Sequence, residues 1–311
     1  SYDEGFYSLQ SKWILENNNW IAPTWWGDIS LDRTIGIQYL MALSRKIFGN
    51  NNFSFYIPNI LAAYFFLFIT YKIHRELVNE KHKYYSALIL STTFLWVNYV
   101  HLSTQDILFS SLVTFGILSI IKASKSLNSF FFFASGIWIG LAFMLKTFLV
   151  LIPVLAILPV YFYFNFFRNK WFWIGLIIGF LPFSIWSLNI LFLYGESEYL
   201  GLFRKFSFLT KKNIFTNPFY YYLWNLPFNL FPWGLFSILG FIKKLSSRNS
   251  ISSYFLFFYP LLSLTLLSFF STKTPYYPLH IISFLSINAY LGIVNLLIDK
   301  KLIYKYLRKT I

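Results

Sequence analysis

Few residues in this chain are ionisable, and those that could do chemistry are a short set. They are the adjacent carboxylates Asp3 and Glu4 with Tyr7 one helical turn on, the pair Asp32-Arg33, Asp106, the isolated Lys146, and Lys273 followed by Tyr276 and Tyr277. A carboxylate can take the proton of an attacking hydroxyl, and a fixed lysine or arginine can neutralise phosphate or oxyanion charge as it develops. On a helix, neighbouring side chains diverge by about 100°. Asp3 and Glu4 therefore cannot both face one reacting group, and one of them is free for a structural contact. Each candidate also has a plainer use. An Asp-Glu pair at a helix mouth complements the dipole, and Ser103, Thr104 and Asp106 stand where an N-cap belongs. Asp32-Arg33 suits a solvated loop, Lys146 suits a lysine snorkelling from an apolar run, and His280 suits a hydrogen-bonded packing residue. The chemistry depends on whether the fold brings these side chains together.

The elements that must position them are set by composition. Of the 311 residues 57% are hydrophobic and only 12% charged, and the mean hydropathy is +0.56. With repeated apolar runs of about 20 residues, this is an all-α polytopic membrane protein. The 39 Phe and 23 Tyr are spread through every run, as lipid-facing and helix-packing aromatics would be. The absence of Cys excludes a disulfide framework, a thiolate nucleophile and cysteine metal sites. The net charge of +15 would suggest nucleic acid in a soluble protein. Here the basic residues sit in short connectors between apolar runs, so topology and anionic headgroups account for them and no nucleic-acid partner is expected.

Residues 5–16 and 34–48 read as short amphipathic helices joined by the Trp-rich, turn-forming stretch 17–27. About nine spans follow, near residues 53–71, 84–100, 107–121, 129–145, 148–166, 171–194, 220–242, 253–270 and 277–298. The organisation expected is an external segment over 1–52, a transmembrane domain over 53–299 and a basic tail over 300–311. No signal peptide opens the chain, and a first transmembrane helix is expected upstream of residue 1. Span parity puts the connectors 72–83, 122–128, 168–170 and 243–248 and the tail on one side, each with at least two Lys or Arg. By the positive-inside rule that side is cytoplasmic. Asp3, Glu4, Asp106, Lys146, the loop from Glu196 to Lys212 and Lys273 then share the opposite face, toward the periplasm or lumen. Ionisable residues at membrane depth usually line a polar cavity or pair with one another, so an outward-opening cavity of carboxylates and lysines is expected. Gly-rich phosphate loops, Gly-x-Ser-x-Gly elbows and His-Glu-x-x-His zinc sites are missing from the sequence.

In order along the chain come Asp3-Glu4-Gly5-Phe6-Tyr7, Asn19-Trp20-Ile21-Ala22-Pro23, Asp32-Arg33, Ala42 to Gly49, Gln105-Asp106, Gly140 to Lys146, Asn217 to Tyr222 with Phe231-Pro232-Trp233, and Lys273-Thr274-Pro275-Tyr276-Tyr277-Pro278-Leu279. In this ordered set the chain resembles the polyprenyl-phosphate-sugar-dependent membrane glycosyltransferases of the GT-C fold, the group that contains protein O-mannosyltransferases and the ArnT-like lipid A aminoarabinose transferases.

The resemblance implies a sugar-phosphoryl-polyprenol donor entering from the inner (plasma) membrane. The acceptor would be a lipid or envelope glycan, less readily a protein, at a site facing the periplasm. It implies Asp3 as general base or orienting carboxylate, Asp106 and then Glu4 as further catalytic carboxylates, and Lys146, Lys273 and Arg33 facing the leaving phosphate. Asp32, Tyr7, Tyr276 and Tyr277 would contact substrate, in a single displacement with inversion at the sugar carbon. It requires no nucleotide and leaves a divalent metal open. There are departures from the family pattern. Asp32-Arg33 replaces Glu-Lys and is followed by Thr34-Ile35 rather than Pro-Pro, Phe215 stands where some relatives have a His, and Tyr276 stands where relatives often show His. The alternative class is a transporter or flippase of lipid-linked saccharides, whose internal repeats and broken helices in matching halves are not evident. A non-catalytic scaffold would leave the shared placement of the ionisable residues unexplained. In the naturally Cys-free chain, a single cysteine at position 3 and another in the connector after Tyr71 should label from opposite sides of the membrane with an impermeant reagent; labelling of both from one side would break the parity.

Overall fold

The computed structural model describes residues 2–31, 33–78, 82, 84–201, 215–245 and 251–307. Asp32, the Lys205–Lys212 part of the long polar loop and the end of the tail lie outside the described residues. The chain opens with α1 (Tyr2–Glu16), a two-stranded antiparallel hairpin of β1 (Thr24–Trp25) and β2 (Asp28–Ile29), and α2 (Gly36–Phe48). The hairpin was not expected from the Trp-rich stretch. Gly27 at its tip has φ +94°, a conformation open to glycine at little cost.

The bundle continues with α3 (Ile57–Leu77), α4 (Tyr85–Ser91), α5 (Phe94–Val100), α6 (Gln105–Lys125), α7 (Ser129–Lys146), α8 (Leu151–Tyr163) and α9 (Lys170–Tyr194). After a short α10 (Glu196–Gly201) come α11 (Tyr221–Asn229), α12 (Gly234–Leu245), α13 (Ile251–Phe269) and α14 (Ile282–Leu307). Among the described residues six helical stretches are long and apolar enough to cross a membrane, or seven if α11 and α12, bent by 117°, count as one. One of the six, Ser129–Tyr163, has 35 residues and as a single straight helix would be about 52 Å long. It is not straight. Tyr161 donates to the Ser135 carbonyl at 2.8 Å and Trp138 Nε1 to the Tyr161 hydroxyl at 3.3 Å, so α7 and α8 run antiparallel and the chain reverses at Lys146–Val150. The stretches expected over 129–145 and 148–166 are thus two separate helices running in opposite directions.

The stretch expected as one span over 84–100 is instead α4 and α5, broken at Thr92-Thr93. There Thr93 caps α5 by accepting from Trp96 N, and Thr92 accepts from Trp233 Nε1 at 2.8 Å. Phe94 N donates to the Phe231 carbonyl at 3.0 Å, so this break sits against the bend between α11 and α12. Two helix breaks facing each other satisfy part of the backbone that each exposes, as an apolar surrounding requires.

Contacts at the two ends show which connectors lie together. At one end Lys125 pairs with Glu76 at 2.9 Å and Ser252 donates to the Leu77 carbonyl at 2.8 Å. At the other, Asn59 donates to the Val100 and Leu102 carbonyls at 2.9 Å, Thr34 to Leu145, Trp186 to Ile21 and Asn217 to Lys273. The opening segment, the α5–α6 turn, the α7–α8 reversal and the Lys273 loop therefore share one end. Ile177, Leu181, Ile185 and Leu188 on α9 remain exposed, as lipid-facing side chains would be. Among the described helices the most extensive packing is between α7 and α9. A Cβ on Gly140 would fall 2.1 Å from the Gly179 backbone, and one on Gly179 2.3 Å from the Ile137 carbonyl. Small residues at such an interface let two backbones meet where lipid supplies no hydrophobic drive. Gly140→Val should therefore destabilise the protein by about 3 kcal/mol or more, read by thermal unfolding in detergent. Gly5→Ala, exposed on α1 with nothing within 4 Å of the new methyl, should stabilise it by up to about 1 kcal/mol; equal effects at the two positions would contradict this packing.

Candidate active site

The site forms where α1, α2, α6, α7 and the approach to α14 converge. Gly36, the first residue of α2, brings that helix against the end of α7: a Cβ there would lie 2.5 Å from the Met144 carbonyl. Thr34 donates to the Leu145 carbonyl at 3.2 Å from the same segment. This close approach carries Arg33 to the mouth of the α7–α8 reversal. The next residue, Thr147, has φ +42°, an unfavourable backbone for a β-branched residue, and it turns the chain so that Lys146 stays at the pocket. Asp3, Tyr7, Arg33, Asp106, Lys146, Tyr276 and Tyr277 line that pocket, with Thr34, Gln105, Leu145, Thr147 and Leu149 completing its walls.

Two cation–carboxylate pairs organise it. Arg33 Nη1 is 2.8 Å from Asp3 Oδ1 and donates to the Tyr7 hydroxyl at 2.6 Å, and its guanidinium lies 5.5 Å from the centre of the Phe6 ring. Burial pushes the Tyr7 phenol well above its ordinary pKa, against the opposing pull of Arg33, so Tyr7 is a neutral acceptor at physiological pH. Lys146 Nζ bonds Asp106 Oδ1, while Thr104 Oγ1 donates to Asp106 Oδ2 at 2.8 Å. The Lys146 ammonium also lies 5.2 Å from the Tyr276 ring centre and 5.7 Å from that of Tyr277, within cation–π range. Tyr276 packs on Tyr99 at 5.3 Å between ring centres.

The structure redistributes several expected roles. Asp106 is not an N-cap: Thr104 holds that position without a side-chain cap bond, and Asp106 sits in the first turn of α6. Lys146 does not snorkel; its side chain is 9% exposed and paired. Glu4 turns away from Asp3, as the angular argument allows, and Glu4 Oε1 accepts the Ser103 N–H at 3.1 Å, tying α1 to the α5–α6 turn. Lys273 is not among the described residues lining the pocket. It is 4% exposed, and its ammonium donates to the carbonyls of Asn217 at 2.9 Å and Phe270 at 2.6 Å. Its reading as a phosphate cation is corrected to that of a loop brace, and burial lowers its pKa. Asp32, expected to contact substrate, lies outside the described residues. His280 is buried and its Nδ1 is 3.0 Å from the Tyr277 carbonyl, a packing residue as expected. Sequence reasoning gave no role to Gln105, Thr34 or Thr147, because nothing in their types announces a site.

Among the described residues no three His, Asp or Glu side chains converge, and Asp3 and Asp106 are each met by a cation. Beside the polar pocket lies an apolar groove of about 550 Å³ between α2, α3 and α6, lined by Leu43, Ile47, Leu61, Phe65, Leu108 and Leu112 among others.

The bundle, with its pocket at one end, has the architecture of a GT-C-fold membrane protein. The ArnT crystal structure from Cupriavidus metallidurans bound to undecaprenyl phosphate superposes with a TM-score of 0.75 at 13% identity, over 93% of this chain and 55% of that one. The Archaeoglobus fulgidus oligosaccharyltransferase AglB, in complex with an inhibitory peptide and a dolichol-phosphate, gives 0.59 at 12% identity over 99% and 48%. The chain belongs to the dolichyl-phosphate-mannose-protein mannosyltransferase family, whose model matches residues 32–188. An undecaprenyl phosphate-α-4-amino-4-deoxy-L-arabinose arabinosyl transferase of Pseudomonas fluorescens is 28% identical over 163 residues, 50% of this chain and 28% of that protein. The chain spans about half the length, or less, of these relatives.

Because the Asp106–Lys146 pair is buried, removing either partner alone leaves an uncompensated charge. Lys146→Met should destabilise the fold by about 3–5 kcal/mol, and the double change Asp106→Asn with Lys146→Met should recover much of it. Thermal unfolding of Lys146→Met, Asp106→Asn and the double variant checks this, and strictly additive losses would show that the two side chains do not act as a pair.

Proposed function

We propose that this chain carries the catalytic core of a membrane glycosyltransferase. It moves a sugar from a polyprenyl-phosphate donor to a hydroxyl of a lipid or envelope glycan, on the external face of the plasma membrane, with residues 1–52 as the external segment. The observation that carries the reading is the convergence of Asp3–Arg33 and Asp106–Lys146 on one pocket at the end of the bundle opposite the basic connectors. The family membership supports the reaction class, and the adjacent apolar groove supports a donor with an isoprenoid tail.

The free space among the pocket side chains is small, about 50 Å³, so a headgroup enters by displacing them. The ion pairs are the parts that can open. A donor phosphate takes Arg33 and Lys146 from their carboxylates and spreads its charge over both cations, where a low effective dielectric makes fixed charge effective. Asp3, released from Arg33, then accepts the proton of the acceptor hydroxyl as its oxygen attacks the anomeric carbon. The bond from that carbon to the phosphate oxygen breaks, and polyprenyl phosphate leaves with the electron pair, inverting the sugar carbon. Asp106 orients the sugar or the acceptor, and the Tyr276 and Tyr277 rings flank the Lys146 ammonium. The binding of Lys146 by aromatic faces keeps it at the pocket when Asp106 is released.

The test is transfer from labelled undecaprenyl-phosphate sugars to candidate acceptors by the full-length protein in lipid. Asp3→Asn should lower the rate by about 10²–10⁴-fold while donor binding stays within a few-fold of wild type, and Asp106→Asn should lower transfer as well. Undiminished transfer by Asp3→Asn removes Asp3 from its role. Movement of the sugar lipid between leaflets with transfer to no acceptor would make the protein a transporter.

A further inference from the structure

One buried group at the pocket has no task in this reaction. Gln105 opens α6, is 7% exposed and lines the pocket beside Asp106 and Lys146. Its amide Nε2 is buried and meets no hydrogen-bond partner. An amide donor left unmet in the interior destabilises a fold, and native structures retain few of them. A second feature of the same corner points the same way. α6 is 21 residues long, and its N-cap Thr104 makes no side-chain cap bond, because the Thr104 hydroxyl is turned to Asp106 Oδ2. The positive end of a long helix dipole, with first-turn N–H groups that no side chain caps, is a favourable seat for an anion. Asp106 in the first turn and Glu4, which accepts the Ser103 N–H, are the carboxylates the structure places at that end, and Asp106 is the one that donor binding would detach from Lys146.

We propose that Gln105 Nε2 and the first-turn N–H groups of α6 bind an oxygen of the donor's phosphate, completing with Lys146 and Arg33 a phosphate seat at the head of α6. This rests on the transferase reading and deepens it. The ligand chemistry is a phosphate mono- or diester oxygen. A sugar hydroxyl fits the site less well, because a helix N-terminus and an ammonium both favour an anion. Gln105 contributes a neutral donor that adds no charge to a site already holding two cations and two carboxylates. It therefore holds the phosphate in register for the attack without making its departure as polyprenyl phosphate harder.

The experiment measures binding of undecaprenyl phosphate, and in a parallel arm an undecaprenyl-phosphate sugar, to the full chain in lipid-containing detergent, together with thermal unfolding without lipid. Gln105→Leu should weaken undecaprenyl phosphate binding about tenfold, the scale of one hydrogen bond to a charged group, with ligand-free stability unchanged or higher. Gln105→Glu should weaken it further by placing a carboxylate against the phosphate. Gln105→Asn, which keeps an amide but withdraws it by one methylene, should weaken binding severalfold and serves if the leucine variant does not fold. Wild-type affinity in Gln105→Leu or Gln105→Asn, in a preparation where Arg33→Ala has lost binding, overturns the proposal and leaves the transferase reading standing. Loss of affinity for the sugar-bearing lipid alone overturns the phosphate assignment in favour of a sugar contact. Failure of the wild type to bind either lipid overturns the transferase reading and this proposal with it.

Discussion

The buried pairing of Lys146 with Asp106 is the interaction on which the pocket end of the molecule depends. Neither charge would be tolerated alone at 9% and 10% side-chain exposure, because isolated buried ions meet a desolvation penalty that only a close partner offsets. The pair is also placed where two helix dipoles favour it. Asp106 is in the first turn of α6 and Lys146 in the last turn of α7, so each charge complements the helix end it stands on. Antiparallel packing of the two helices then brings opposite charges together without any long loop. What stabilises the fold here is the same arrangement that supplies a cation and a carboxylate to the pocket.

The second pair, Arg33 with Asp3, is built differently. Its side chains are 20% and 37% exposed, so screening by solvent leaves it a weaker contribution to stability. It is positioned by backbone contacts, namely the approach of Gly36 to Met144 and the tie of Glu4 to the Ser103 N–H. The buried pair is thus the firmer of the two and the exposed pair the looser. That order suits a site in which Arg33 exchanges Asp3 for a ligand more readily than Lys146 exchanges Asp106.

Much of this was legible in the sequence. The apolar periodicity and the basic connectors placed Asp3, Asp106, Lys146 and Lys273 at one end, because hydrophobic length and parity fix the end to which a residue belongs. They do not fix which way a side chain turns at that end. Lys273 and Lys146 look alike in sequence, each polar beside an apolar run, yet one braces carbonyls of its own loop and the other pairs across helices. The break of 84–100 into α4 and α5 was likewise hidden. Thr92 and Thr93 are ordinary residues in an apolar helix until the bend at Phe231-Pro232 offers partners to the Thr92 hydroxyl and the Phe94 N–H. Gln105 entered the sequence reading only as the neighbour of Asp106; its unmet amide gave no signal, since an unmet donor is a property of the packed neighbourhood.

A lipid-linked phosphate bound between Arg33 and Lys146 is the step on which the proposed reaction turns. An experimental density map of the full-length protein with undecaprenyl phosphate tests it most directly. Phosphate density should bridge the Arg33 guanidinium and the Lys146 ammonium, with Asp3 and Asp106 drawn away from them and the isoprenoid chain leading to the groove between α2, α3 and α6. Phosphate density at the opposite end of the bundle, near Lys122 and Lys125, with both ion pairs intact, would contradict it.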